Sequence, residues 1–259
     1  MKIAISGKGG VGKTTVAASL ACALALRGYS VYAVDADPDA SLGAVLGFPA
    51  DELAKLHPVV EMDALIAERA GTGKGVFCLN PKVDDLIDKF SLQHGNIRLL
   101  QMGSVKQGGT SCYCRENSFL YAVLGNLLLD RKEVVIMDMS AGIEHLTRGT
   151  SRGVDLMIVV TEPTAVSVRT AGIVRKLASE LGIGVVRVLA NKVRTGKEHD
   201  FIRGHFREDE LLAVLSFSED ILTDAMDEKS GPAGDACRIL PGMEEVAVRI
   251  LAEMPPEIN

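Results

Sequence analysis

The chain of 259 residues contains no tryptophan, and aromatic side chains make up only 4% of it. Its core must therefore be built from Val, Ile, Leu and Ala, which suits strands buried on both faces under helices. An excess of positive charge is also missing: 28 Lys and Arg stand against 34 Asp and Glu, a net charge of −6. A mildly acidic chain is expected to be soluble, with no nucleic acid among its partners. No apolar run approaches the ~20 residues of a bilayer span, so no membrane partner is expected. The first ten residues, MKIAISGKGG, reach glycine after a short apolar run and are expected to be neither a signal peptide nor an anchor. Five cysteines, an odd number and scattered apart from one close pair, do not make a disulfide framework. The expectation is a reduced, cytoplasmic protein, where a close cysteine pair points toward metal or redox chemistry.

What is present is alternation. Apolar runs at 2–5, 30–34, 97–101, 133–137, 156–160, 185–189 and 212–215 read as strands, and most are apolar throughout rather than every second residue. Helical patterns lie between them at 13–27, 118–130, 165–180 and 243–253. Strand and helix alternating over the whole length predict an α/β fold, a mostly parallel doubly wound sheet with helices on both faces. The least regular stretches, 48–90, 104–117 and 228–242, lack the composition of flexible linkers. One domain over residues 1–259 is expected.

Residues 3–16, IAISGKGGVGKTTV, run from a strand through a glycine-rich turn into a helix. The pattern GxxxxGK[ST] falls on Gly7 to Thr14 in the context a phosphate loop requires, which makes an accidental glycine-rich turn a poor alternative. Glycines let successive N–H groups of Gly9, Gly10, Val11 and Gly12 turn inward on phosphate oxygens, and the helix adds the positive end of its dipole. Lys13 then reaches the β- and γ-phosphates of ATP, Thr14 offers a hydroxyl to Mg²⁺, and Thr15 is placed for the α-phosphate.

Carboxylates complete such a site. The second strand ends in VDADPDAS, at the edge of a doubly wound sheet where ligands bind. There Asp37 is expected to orient the attacking water. Asp35 and Asp39 are open candidates, Asp39 also as a helix N-cap. Four apolar residues followed by Asp138 have the form of a strand carrying its carboxylate to Mg²⁺, and a plain capping residue is the alternative. Asn191, at the end of a further strand, is a candidate for meeting the base or an ordinary turn residue. It is followed by Lys192, Val193 and Arg194 and not by the Asp that reads guanine in Asn-Lys-x-Asp sequences, which favours ATP over GTP.

The stretch GGTSCYCRE, residues 108–116, holds Cys112 and Cys114 just before an expected helix start, a position that favours thiolates. A soft-metal site wants about four ligands, so one Cys-x-Cys is half a site. Two copies meeting at a two-fold axis would make an S₄ site suited to Zn²⁺, or to Ni²⁺ if flattened. A redox pair or a packing feature are the alternatives. Cys22 reads as core, and no role is assigned to Cys78 or Cys237.

Lys8, within KGGVGKTT, resembles the deviant Walker A signature of the ATPase family that includes the septum-placing ATPase, the chromosome-partitioning ATPases and the nitrogenase iron protein. The resemblance implies that Lys8 touches the nucleotide of a dimer partner and that two ATP molecules lie between two copies of the chain. It also implies that Asp37 lies in switch I, that Asp138 and Gly142 lie in switch II, and that the amide of Asn191 meets adenine. Where the nitrogenase iron protein has its second cluster cysteine, this chain has His145, so its cubane arrangement is not expected. Residues 75–90, GVFCLNPKVDDLIDKF, and 99–114, LLQMGSVKQGGTSCYC, further resemble the nickel-insertion accessory ATPases of carbon monoxide dehydrogenase. That resemblance implies Ni²⁺ or Zn²⁺ held between subunits by Cys112 and Cys114, a homodimer, and carbon monoxide dehydrogenase as client. A positioning ATPase and an iron–sulfur carrier are the competing classes, and the C-terminal EVAVRILAEMPPEIN is a poor membrane anchor.

Overall fold

The structure is a computed structural model, which describes residues 1–37, 39–58, 90–101, 132–139, 154–226 and 238–253. The expected helix at 118–130, Cys78, Cys112, Cys114, Gly142, His145 and Cys237 lie outside the described residues.

Strands β1 (Lys2–Gly7), β2 (Ser30–Ala36), β3 (Leu92–His94), β4 (Ile97–Gln101), β5 (Glu133–Met139), β6 (Leu156–Thr161), β7 (Val186–Val193) and β8 (Leu211–Ser216) form one sheet in the order β3-β4-β2-β5-β1-β6-β7-β8. Every pairing is parallel except β3 with β4. All seven strands expected from the sequence are present, with no end displaced by more than four residues. The edge strand β3 was not expected, because LQH carries too little apolar character to announce itself.

The described helices are α1 (Lys13–Leu26), α2 (Leu42–Val45), α3 (Ala50–Leu53), α4 (Ala165–Glu180), α5 (Gly196–His205), α6 (Glu219–Met226) and α7 (Met243–Ala252). Side chains alternate across β1, so Ile3 and Ile5 pack under α1 and α7, whereas Ala4 faces the core shared with α4 and α5. Helices therefore cover both faces, as the apolar strands required. Cys22 lies in the α1 core at 1% exposure, as its surroundings in sequence implied. Its sulfur also takes part in a disulfide, a departure from the fully reduced chain expected. Among the described residues no helix is long and apolar enough to cross a membrane.

Two features of this topology position the site. β1 lies between β5 and β6, with β2, β4 and β3 beyond one and β7 and β8 beyond the other, so the sheet switches direction at the end of β1. β2 lies between β4 and β5, and at its end Asp35 has Gln101 on one side and Asp138 on the other.

Candidate nucleotide site

The loop after β1 is built on positions that exclude side chains. Gly7 has φ 149, and a Cβ there would stand 2.3 Å from the Val160 carbonyl oxygen of β6. Gly10 (φ 84) and Gly12 (φ 91) are also left-handed, and Gly12 is the residue that begins α1. No side chain caps that helix start, so the N–H groups of the loop and first turn are available to an anion. Lys13 is 8% exposed, and its Nζ turns back toward the Lys8 carbonyl at 3.5 Å. Lys8 itself is half-buried, while Gly9 and Gly10 are exposed.

Behind the loop stand two residues of β7. Asn191, 4% exposed, donates from Nδ2 to the Val11 carbonyl at 3.0 Å. Lys192 donates from Nζ to the Gly10 carbonyl at 2.6 Å. The sequence reading gave the Asn191 amide to adenine; in the structure that amide also braces the loop. The physical reason is that a loop whose N–H groups turn inward turns its carbonyls outward, and the Val11 carbonyl, being buried, needs a donor.

The carboxylates converge from neighbouring strands. Asp35 and Asp138 are register partners on β2 and β5 and are 2% and 0% exposed. Asp35 accepts from the Leu42 N–H at 2.8 Å and from the Asp37 N–H at 3.2 Å. It thereby fixes the turn that carries Asp37 and accepts the first N–H of α2, whose N-cap is Ser41 without a side-chain cap bond and not Asp39. Asp37 accepts from the Asp39 N–H at 3.1 Å. The recurrence of an apolar run followed by Asp in both VYAVD and VVIMD was the signal that Asp35 and Asp138 are a pair.

Asp138 is the least satisfied group described. Both of its carboxylate oxygens are buried without a hydrogen-bond partner among the described residues. Burial pushes its pKa up to about 7; the Thr14 hydroxyl pulls it down, Asp35 pushes it up, Lys13 pulls it down and Asp37 pushes it up. Burial likewise raises the Asp35 pKa, against the pull of its two backbone N–H donors and with a push from Asp37. A buried, unpartnered carboxylate beside a hydroxyl and the phosphate lysine has the chemistry of a Mg²⁺ site. Mg²⁺ usually takes one or two protein oxygens and leaves the remaining positions to phosphate and water. Thr14 and Asp138 fit that role. Among the described residues there is no cluster of three or more His, Cys, Asp or Glu side chains able to hold a metal by themselves.

Sheet order, phosphate loop and paired carboxylates define a P-loop nucleotide-binding protein, and residues 2–230 match the CobQ/CobB/MinD/ParA nucleotide-binding domain family. The chain belongs to that family. It is 42% identical over 224 residues to the carbon monoxide dehydrogenase accessory protein CooC of Rhodospirillum rubrum, covering 85% of each chain. It is 44% identical over 219 residues to an uncharacterized ATP-binding protein of Methanocaldococcus jannaschii, covering 84% of each. Among solved structures, a plasmid partition protein of Borrelia burgdorferi bound to AMPPNP superimposes with a TM-score of 0.68 at 17% identity, over 98% of this chain and 99% of that one.

Proposed function

We propose that the chain is a single-domain, dimeric ATPase of the cytoplasm that binds Ni²⁺ or Zn²⁺ between its subunits and assists nickel insertion into carbon monoxide dehydrogenase. The observation that carries this reading is the 42% identity over 85% of the chain to an accessory protein of that enzyme. The sheet likeness to partition and septum proteins, at about a fifth identity, speaks only for the shared fold.

In this reading the loop N–H groups of Gly9 to Gly12 hold the phosphates, Lys13 swings from the Lys8 carbonyl onto the β- and γ-oxygens, and Thr15 meets the α-phosphate. Mg²⁺, when bound, would supply charge neutralisation to the phosphates. Thr14 and Asp138 would hold it, Asp138 in its ionised form. Asp37, on the turn fixed by Asp35, orients the water opposite the γ-phosphate. Lys8 reaches the nucleotide of the second copy. Asn191 keeps the loop in shape and turns its remaining polar surface toward the base. Cys112 and Cys114 provide two thiolates per subunit, and two subunits close a four-sulfur site around the transferred ion. Metal and ATP each favour the closed dimer, so each raises affinity for the other.

Light scattering after size exclusion, with metal analysis of each peak, tests the reading. Wild type and the Cys112→Ala/Cys114→Ala double variant are compared with and without Ni²⁺, Zn²⁺ and ATP–Mg²⁺. A metal-induced dimer holding one ion per two chains, lost in the double variant, is expected. A dimer driven by ATP alone and indifferent to the cysteines would place the protein with the positioning ATPases. Brown, sulfide-containing protein as purified would make it an iron–sulfur carrier.

A further inference from the structure

Lys192 stands out by its backbone. It is one of two non-glycine residues described with positive φ, at 61°. Such a conformation is strained for a side-chain-bearing residue and persists where surrounding contacts demand it. It falls at an irregularity of the β7–β8 pairing, where the register shifts between Ala190 and Val193. In a regular strand, Asn191 and Lys192 would point to opposite faces of the sheet. A bulge combined with a left-handed residue re-aims one of them. Here both side chains reach the same loop: Asn191 Nδ2 on the Val11 carbonyl at 3.0 Å and Lys192 Nζ on the Gly10 carbonyl at 2.6 Å. The lysine passes over Gly12, where a Cβ would lie 3.6 Å from its Cε and 2.6 Å from Asn191 Nδ2.

We propose that Lys192 is a positioning residue for the phosphate loop, holding the Gly10 carbonyl outward so that the N–H groups on either side already face inward before nucleotide arrives. The inference rests on the loop being the phosphate site proposed above. Two consecutive carbonyls are fixed by two consecutive side chains, so the curl of the loop is set from outside, and of the two Lys192 is given no contact with the ligand. Gly9 and Gly10 are exposed and lack side chains of their own to restrain them, which leaves the ammonium as the described external contact at Gly10. A charged donor on a backbone carbonyl also draws electron density from that peptide, strengthening the neighbouring N–H as a donor to anions.

The test uses the full chain and measures ADP and ATP–Mg²⁺ affinity by calorimetry, steady-state hydrolysis, and urea unfolding without nucleotide. Lys192→Met keeps the aliphatic stem and loses the ammonium; Lys192→Arg restores a charged donor; Lys192→Gly removes the side chain and also relieves the left-handed backbone. Lys192→Met is expected to weaken ADP and ATP alike by about tenfold, the equivalent of one charge-assisted hydrogen bond. The loss should appear in KM rather than in kcat, and Lys192→Arg should recover most of it. Lys192→Gly should unfold at the same or a higher urea concentration than wild type and still bind nucleotide weakly, which a purely structural residue would not do. Unchanged affinity in Lys192→Met, or a loss confined to kcat, overturns the assignment. A wild-type chain that binds neither nucleotide would overturn the ATPase reading and this inference with it, whereas binding by wild type and Lys192→Met alike sinks the inference alone.

Discussion

At the scale of single residues, the site is defined by groups that are uncomfortable without a ligand. Asp138 titrates near 7 in the folded chain against an ordinary carboxylate value of 3.8. The sign follows from proton counting. Between about pH 4 and about pH 7 the folded state binds more protons at this position than the unfolded state, so stability falls as pH rises through that window and is level above it. Asp138→Asn removes the effect. Its advantage over wild type in urea, without nucleotide or Mg²⁺, should grow from about pH 4 to about pH 7 and then level off at about 4 kcal/mol, at about 1.4 kcal/mol for each pH unit of that rise. No such growth would mean that water or a cation already satisfies the carboxylate. Nucleotide should reverse the trend, since Mg²⁺ needs the ionised form, and Mg²⁺–ATP affinity is expected to rise with pH through 7. Gly7 is a second such residue. With φ 149 and a Val160 oxygen 2.3 Å from any Cβ, Gly7→Ala forces β1 and β6 apart and should destabilise the chain by about 2 kcal/mol or more, read from the urea midpoint.

At the scale of elements, legibility followed periodicity. β1, β2, β4, β5, β6, β7 and β8 announced themselves because strands buried on both faces are continuously apolar, and α4 was located from 165 to 180 because its apolar residues recur at helical spacing. α5 was missed for the converse reason: GKEHDFIRGH has little apolar character, and only Ile202 is fully buried. Its start was nevertheless written in the sequence as Thr195 followed three residues later by Glu198, a capping box that the structure contains in full. Thr195→Ala should cost about 1 kcal/mol and expose α5 first in hydrogen exchange, without altering nucleotide affinity. Site residues show the same divide. The phosphate loop was legible because a fixed spacing of glycines and lysine serves one purpose. The bracing contacts of Asn191 and Lys192 were not, since they depend on a bulge between β7 and β8 that no local pattern encodes.

At the scale of the whole molecule, separate ligands are expected to report to one sheet. Cys112→Ala should abolish metal-induced dimers and the gain in ATP affinity that metal brings, while leaving ATP affinity measured without metal within about twofold. Lys13→Ala should do the reverse: hydrolysis is lost and thiol-bound metal is retained. Metal content and phosphate release, measured side by side on both variants, check the separation. Retention of tight nickel by Cys112→Ala would remove that cysteine from the site.

β2 gives this separation a meeting point. Its last residues have β4 on one flank and β5 on the other, with Gln101 and Asp138 either side of Asp35. In sequence, Cys112 and Cys114 fall between Gln101, the last residue of β4, and Glu133, the first of β5. In the proposed reading, an ion held by those cysteines would draw on the sequence between β4 and β5, the two strands that flank the tip carrying Asp35 and Asp37. Cargo and fuel would then be weighed on the same beam, with β2 as its pivot.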